Sequence, residues 1–265
     1  MKIGFIGAGN MGEALLSGMI KGGLLSPDDI VVFDPNEDKI LEISNKYKIK
    51  VAQDNQDLLN RVNTFILAIK PNIYPSVLSE IYEHITPDHH LISLAPGYNF
   101  NKIKILINNT DCLISLIMSN TSAAIGQGVT AACFDPKITD TNKTELINIF
   151  QSLGSFIEVE ETQMPTITSV IGSTPAIVYM LIEGMMQGAI LEGLPAEQAK
   201  QLVAHVVASA ANMIIETDEH PSILRDRICS PGGTTIEGVS HLKSIGFEGK
   251  VIDAIRIMAE KARKM

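Results

Sequence analysis

Lys2-Ile3-Gly4-Phe5-Ile6-Gly7-Ala8-Gly9-Asn10-Met11-Gly12 opens the chain as a short apolar strand running into Gly-x-Gly-x-x-Gly, with an amphipathic stretch, Glu13 to Ile20, directly behind it. The glycines have separate tasks in such a turn. Gly7 makes the tight bend, Gly9 lets a pyrophosphate approach the backbone, and Gly12 lets helix and strand pack closely. A second strand, Ile30 to Phe33, ends in Asp34, at the distance where a carboxylate grips a ribose. The first part of the chain therefore binds a dinucleotide, with Gly7, Gly9, Asn10, Met11, Gly12 and Asp34 as its contacts.

Apolar runs at Thr64–Ile69, Leu91–Leu94, Cys112–Met118 and Val129–Phe134 alternate with helical patterns at Glu37–Tyr47, Ile73–His84 and Asp140–Leu153. That alternation predicts a doubly wound parallel sheet covered by helices on both faces. Ligands in such folds lie at the carboxyl ends of the strands. Ile69-Lys70-Pro71, Ala95 and Asn120 stand at such ends and are expected beside the cofactor. His89-His90, following Pro87-Asp88, reads as a surface turn.

From Thr162 onward strand signals vanish. Pro195 to Glu216 carries apolar residues at helical spacing, and Ile171 to Leu191 is apolar nearly all the way round. The boundary is placed at 160/161: a dinucleotide-binding domain over 1–160, then an all-α domain over 161–265. A helix apolar on every side must be buried on every side, which a segment of this length hardly achieves alone. The second domain is expected to pack against another copy of itself. Gly172-Ser173-Thr174-Pro175-Ala176 is expected to interrupt its apolar helix. Near the end, Ser230-Pro231-Gly232-Gly233-Thr234-Thr235 precedes a helical run from Ile236, which places free N–H groups and two hydroxyls where an anion binds.

The 265 residues hold 21 Lys and Arg against 30 Asp and Glu, a net charge of −9, with no basic cluster. Nucleic acid and anionic membrane are therefore poor partners. No stretch reads as long and apolar enough to span a bilayer. Met1-Lys2 leads straight into a strand without a signal-peptide pattern, so a cytoplasmic location is expected. The three cysteines lack metal-ligand spacing, and no metal site is expected; Cys112 and Cys133 read as core fillers. No paired His and carboxylate, nucleophile elbow or Walker lysine is present. That suits reduction of an imine, which arrives protonated and needs chiefly positioning of a hydride.

Taken together, Gly7-Ala8-Gly9-Asn10-Met11, Ile69-Lys70-Pro71, Ile92-Ser93-Leu94-Ala95, Asn120-Thr121, Gly172-Ser173, Pro175-Ala176, Leu224-Arg225-Asp226 and Ser230 to Thr235 resemble pyrroline-5-carboxylate reductase over essentially the whole chain. The resemblance implies a Rossmann domain followed by a helical dimerisation domain, with dimers that assemble into larger rings. It implies an oxidoreductase of proline biosynthesis that reduces the cyclic imino acid 1-pyrroline-5-carboxylate to L-proline with NAD(P)H. Ser230, Gly232, Gly233, Thr234 and Thr235 would form the substrate loop. Its backbone N–H groups would hold the carboxylate, and the Thr235 hydroxyl would meet the ring nitrogen, as the catalytic contact. Asp34, with no arginine nearby for a 2′-phosphate, favours NADH, although Lys39 is within reach of such a phosphate. The chain departs from the family pattern at Pro96, Leu116, Ser119, Ser122, Thr174 and Ile177. Those departures leave two alternatives open: a reductase of another cyclic imino acid, and a non-catalytic dinucleotide-binding regulator.

Overall fold

Ile3–Ile6 forms a fully buried strand, β1, because it lies at the middle of a sheet and is covered on both faces. The computed structural model describes all 265 residues. Around β1 run β2 (Ile30–Phe33), β3 (Lys50–Val51), β4 (Thr64–Leu67), β5 (His90–Ser93), β6 (Leu113–Met118), β7 (Gly128–Phe134) and β8 (Gly154–Glu158), in the spatial order β3-β2-β1-β4-β5-β6-β7-β8. Every neighbouring pair is parallel except β6–β7. Chain order reverses between β1 and β4, which pair Ile3 with Thr64 and Ile6 with Leu67. A crevice opens beyond the carboxyl ends of strands at such a switch point.

Strand alternation sorts the core into two layers. Ile3, Phe5, Val32, Ile66 and Ile92 face α1 (Asn10–Lys21), α2 (Glu37–Tyr47) and α6 (Asp140–Gln151). Ile6, Val31, Phe65, Leu67 and Leu91 face α3 (Asn55–Leu59), α4 (Tyr74–Ile81) and α5 (Phe100–Leu106). Strands β3 and β8 are too short or too mixed in composition to announce themselves. The sheet supplies their pairing instead.

The chain packs as two units, Met1–Gly172 with Ala259–Met265, and Ser173–Met258. The first extends beyond the expected 160 because α7 (Met164–Ile167) and Ile171 join Met118 and Ala131 in a small apolar cluster. The second holds α8 (Thr174–Leu191), α9 (Ala196–Thr217), α10 (Pro221–Ile228), α11 (Thr234–Ser244) and most of α12 (Phe247–Arg263).

Two sequence expectations are corrected here. Gly172 to Ala176 does not interrupt the helix. Residues Thr168–Ser173 form a π-helical turn that runs on into α8. A proline inside a helix removes a hydrogen bond and crowds the carbonyl one turn back, and this widened turn lies directly before Pro175. Glu161–Leu191 is consequently a continuous helical stretch of 31 residues, long and apolar enough by length and composition to cross a membrane. This differs from the expectation that no stretch is long and apolar enough to do so.

The second correction concerns His89 and His90, which are buried rather than at the surface. The turn ends at Asp88, and His90 already opens β5. The His89 Nδ1 accepts from the Thr86 amide at 2.9 Å and its Nε2 faces the Leu59 carbonyl at 3.2 Å, which together fix the ring's orientation. The His90 Nε2 lies 2.7 Å from the Ser115 hydroxyl. Burial pushes the His90 imidazole down from 6.5 to about 4, with Asp135 pulling weakly the other way.

This burial generates a pH dependence of stability. As pH falls, the unfolded chain takes up the His90 proton first, near 6.5, and the folded chain only near 4. Stability from this group is therefore complete above pH 6.5 and is lost as pH falls towards 4, on the order of 3 kcal/mol in all. Urea midpoints measured across that window should fall in the parent and stay flatter in His90→Gln. Equal slopes in both would contradict the assignment.

Candidate active site

The turn between β1 and α1 is built by close approach. Gly7 adopts φ +101°, where an L side chain is strained, and a Cβ there would sit 2.6 Å from the Ala68 carbonyl oxygen. A Cβ on Gly12 would meet the Gly7 carbonyl at 2.6 Å. Both glycines are therefore required by the protein's own packing. Gly9 is different: nothing lies within 4 Å of where its Cβ would stand. Gly9 is also the N-cap of α1 and supplies no side-chain cap, so the first N–H groups of the helix, from Asn10 onward, remain available. The open space over Gly9 is of the kind a pyrophosphate fills.

Asp34, half-buried at the end of β2, is held by two backbone amides. Its Oδ2 accepts from Ala8 at 2.8 Å and its Oδ1 from Asn36 at 2.9 Å. Each carboxylate oxygen keeps a further acceptor position for a ribose hydroxyl. Lys39 does not point a free cation at this place. Its ammonium binds Glu13 at 2.8 Å and Glu42 at 3.1 Å. Hydrogen bonds from Lys39 and then Lys46 hold the Glu13 carboxyl down at about 2.

Gly7, Gly9, Asp34, Ile69 and Lys70 line one cleft of about 490 Å³, together with Phe33, Asn55, Ile73, Val77 and Glu80. Lys70 is exposed there and makes no side-chain hydrogen bond or ion pair. Asn55 is a functional candidate that sequence reasoning missed. Its Nδ2 donates to Glu80 at 3.1 Å, but its buried Oδ1 has no partner. An unpaired buried acceptor costs about 1–3 kcal/mol, and a ligand donor would relieve it. In the sequence Asn55 reads only as the first residue of a capped helix behind Asp54. These features fit a bound dinucleotide at this cleft.

A second cleft of about 360 Å³ lies at the ends of β5 and β6, lined by Ala95, Pro96, Gly97, Leu116, Met118, Glu161, Thr168 and Arg263 among others. Leu116 is buried, so an apolar side chain stands where the family pattern has an arginine. Ser119 is buried too, its hydroxyl 2.9 Å from that of Thr130. Asn120 lines neither cleft; its Oδ1 accepts from the Val129 amide at 3.3 Å. Pro71 lies outside both linings, but its carbonyl accepts from Tyr98. Met11, in the first turn of α1, packs against the core.

In the second unit, Ser230 to Gly233 forms a turn ahead of α11, with Gly232 at φ +68°. The Gly233 amide is spent inside the turn, donating to the Ser230 carbonyl at 3.1 Å. The amides of Gly232, Thr234 and Thr235 are left for an anion, at the positive end of α11. The Thr235 hydroxyl has no partner within the chain. This turn is open to solvent.

Comparison with known proteins adds to this geometry. Residues 161–265 match the family model described as pyrroline-5-carboxylate reductase dimerisation. Residues 2–97 match that described as NADP oxidoreductase coenzyme F420-dependent. The pyrroline-5-carboxylate reductase of Escherichia coli is 37% identical over 264 residues, covering 100% of this chain and 98% of the relative. That of Methanosarcina acetivorans is 34% identical over 265 residues, covering 100% and 97%. A solved pyrroline carboxylate reductase of Plasmodium falciparum with NADP bound superposes with a TM-score of 0.92 at 28% identity, covering 100% and 97%. The Streptococcus pyogenes 1-pyrroline-5-carboxylate reductase does so at 0.90 and 29%, covering 100% and 99%.

The unequal surroundings of the three glycines predict two separable defects. Gly9→Ala should leave the thermal midpoint unchanged and weaken binding of NADH or NADPH by roughly tenfold or more, read by fluorescence titration. Gly12→Ala should lower stability by about 1–3 kcal/mol, because its Cβ has no room. Equal loss of stability in both would refute the distinction.

Proposed function

The chain belongs to the pyrroline-5-carboxylate reductase family, and we propose that it reduces 1-pyrroline-5-carboxylate to L-proline with NAD(P)H. The observation that carries this reading is the Ser230–Thr235 turn, with three free amides and an unpartnered Thr235 hydroxyl at a helix N-terminus. The chain is an oxidoreductase acting on a carbon–nitrogen bond.

The substrate carboxylate is assigned to the amides of Gly232, Thr234 and Thr235, where the end of α11 favours an anion. Ser230 and Gly233 shape the turn through their own hydrogen bond. The Thr235 hydroxyl is assigned to the ring nitrogen, keeping the protonated imine in one orientation as its carbon receives the hydride. Bound NAD(P)H supplies that hydride. Because the nitrogen arrives protonated, no further acid is required, and positioning does most of what the protein contributes.

NADH is the favoured cofactor in this reading. Asp34 offers its carboxylate where a 2′-phosphate would have to sit, and Lys39 is already paired with Glu13 and Glu42. Asn10 and Met11 contribute first-turn amides, and Lys70 a free cation. Ala95 belongs to the second cleft. Asn120 is retained only as a structural neighbour.

The helical unit is read as a dimerisation surface, the match over 161–265 being to a dimerisation model. Helices α8, α10 and α11 bury no residue within the chain, and α9 only Ala199 and Val203. Leu191 is 86% exposed and Ile215 74%. A second copy of the same apolar helices is the partner that covers them, and rings of such dimers extend the reading. The three unpaired thiols suit a cytoplasmic setting.

Steady-state oxidation of NADH and of NADPH with 1-pyrroline-5-carboxylate tests the proposal. Turnover with either, and a higher kcat/KM with NADH, is expected. No turnover with either overturns it, and turnover only with a six-membered imino acid moves the substrate to another cyclic imine. Thr235→Val should lower kcat by about 10²-fold while the NADH Kd stays within about twofold. Parallel loss of both would remove Thr235 from the substrate.

A further inference from the structure

Two turns bring residues to the two clefts: Ile69 and Lys70, ahead of Pro71 behind β4, line the one fitted to the dinucleotide, and Ala95-Pro96-Gly97 behind β5 lines the second. Neither turn is held to the other by the sheet, whose pairing of β4 with β5 ends at Leu67 and Ser93. A pair of tyrosines makes the connection. The Tyr98 hydroxyl donates to the Pro71 carbonyl at 2.9 Å. Its ring lies on that of Tyr74, with centroids 4.5 Å apart. Tyr74 is fully buried, and its hydroxyl donates to the Leu67 carbonyl at 2.9 Å. The same oxygen accepts from the Ser93 hydroxyl and the Leu94 amide, both at 3.2 Å. Burial pushes the Tyr74 phenol well above its usual range, so it is a neutral donor.

From these contacts we infer that Tyr98, seated on Tyr74, is a positioning residue for the dinucleotide. Tyr74 ties the last residues of the two strands. Tyr98 carries that tie outward to the turns themselves and sets the distance between Pro71 and Ala95–Gly97. Other groups bear on the second turn only. The Lys102 ammonium donates to the Gly97 carbonyl at 2.7 Å, and Met265 packs against Gly97. Neither reaches Pro71, whose carbonyl accepts from the Tyr74 amide within its own turn and from the Tyr98 hydroxyl across to the other, so Tyr98 is the direct link from Pro71 to the end of the second turn. A phenylalanine at 98 keeps the ring on Tyr74 and removes only that bond.

This inference rests on the proposed cofactor, so its test reads binding directly, without imine. NADH and NADPH are titrated into the full chain and their fluorescence followed, for the parent, Tyr98→Phe, and Tyr82→Phe as a control. Tyr82 bonds only exposed Glu83. Tyr98→Phe should raise the cofactor Kd between about twofold and tenfold, the equivalent of one net hydrogen bond. In turnover its KM for cofactor should rise while KM for the imine stays the same, with the thermal midpoint unchanged. Tyr82→Phe should match the parent. A Tyr98→Phe Kd equal to the parent's overturns the inference, whatever the midpoint does, because a merely structural tyrosine moves only the midpoint. A parent that binds neither cofactor overturns it as well. A parent that binds cofactor but reduces no imine sinks the proposed reaction alone, and the Kd comparison still decides the role of Tyr98.

Discussion

The approach of the Gly7 backbone to Ala68 governs the first unit. With φ +101° and 2.6 Å from its Cβ position to the Ala68 oxygen, this residue lets β1, β4 and α1 converge on one point. Its amide donates to Phe33 at 2.8 Å, and the next amide, Ala8, holds Asp34. The bend that leaves open space over Gly9 thus also orients the Asp34 carboxylate. One steric constraint sets both the open backbone at Gly9 and the carboxylate at Asp34, the two ends of the proposed cofactor contact.

From that point the chemistry spreads by backbone contacts more than by catalytic side chains. The Tyr74–Tyr98 pair ties the turns behind β4 and β5. Leu116 lines the second cleft with an apolar side chain where the family pattern has a cation, and Ser119, where that pattern has a proline, is buried in a hydroxyl pair with Thr130. A reaction whose substrate arrives protonated tolerates a site of this kind, because the protein is asked for geometry and not for a proton relay. The helical unit follows a different logic. Its long apolar helices find few partners within the chain, and their stability is linked to association.

Much of the first unit was legible from the residues. The apolar runs between Ile3 and Phe134 mark the central strands because strands buried on both faces are apolar without interruption. Gly7, Gly9, Gly12 and Asp34 are legible because their spacing is dictated by a turn and a ribose. Edge strands β3 and β8 were not, since partly exposed residues such as Lys50 and Ser155 carry no period that separates them from loops. The burial of His89 and His90 was hidden for a related reason: polar residues beside Pro87 signal a turn, and only the packing of β5 against β4 and β6 encloses them.

By itself the sequence determined the alternation of strand and helix, the dinucleotide turn, the Ser230–Thr235 loop and the family they jointly indicate. Each of these is written in neighbouring residues or in spacings set by backbone geometry. The tertiary structure alone decided that Lys39 is spent on Glu13, that Asn55 keeps an unpaired acceptor in a cleft, and that Gly233 uses its amide inside its own turn. It also decided that the helix runs through Gly172–Ala176 and that Tyr98 reaches Pro71. These are contacts between residues far apart in the chain, or choices among partners for one polar group. Packing settles both, because a side chain's local sequence does not say what will stand opposite it.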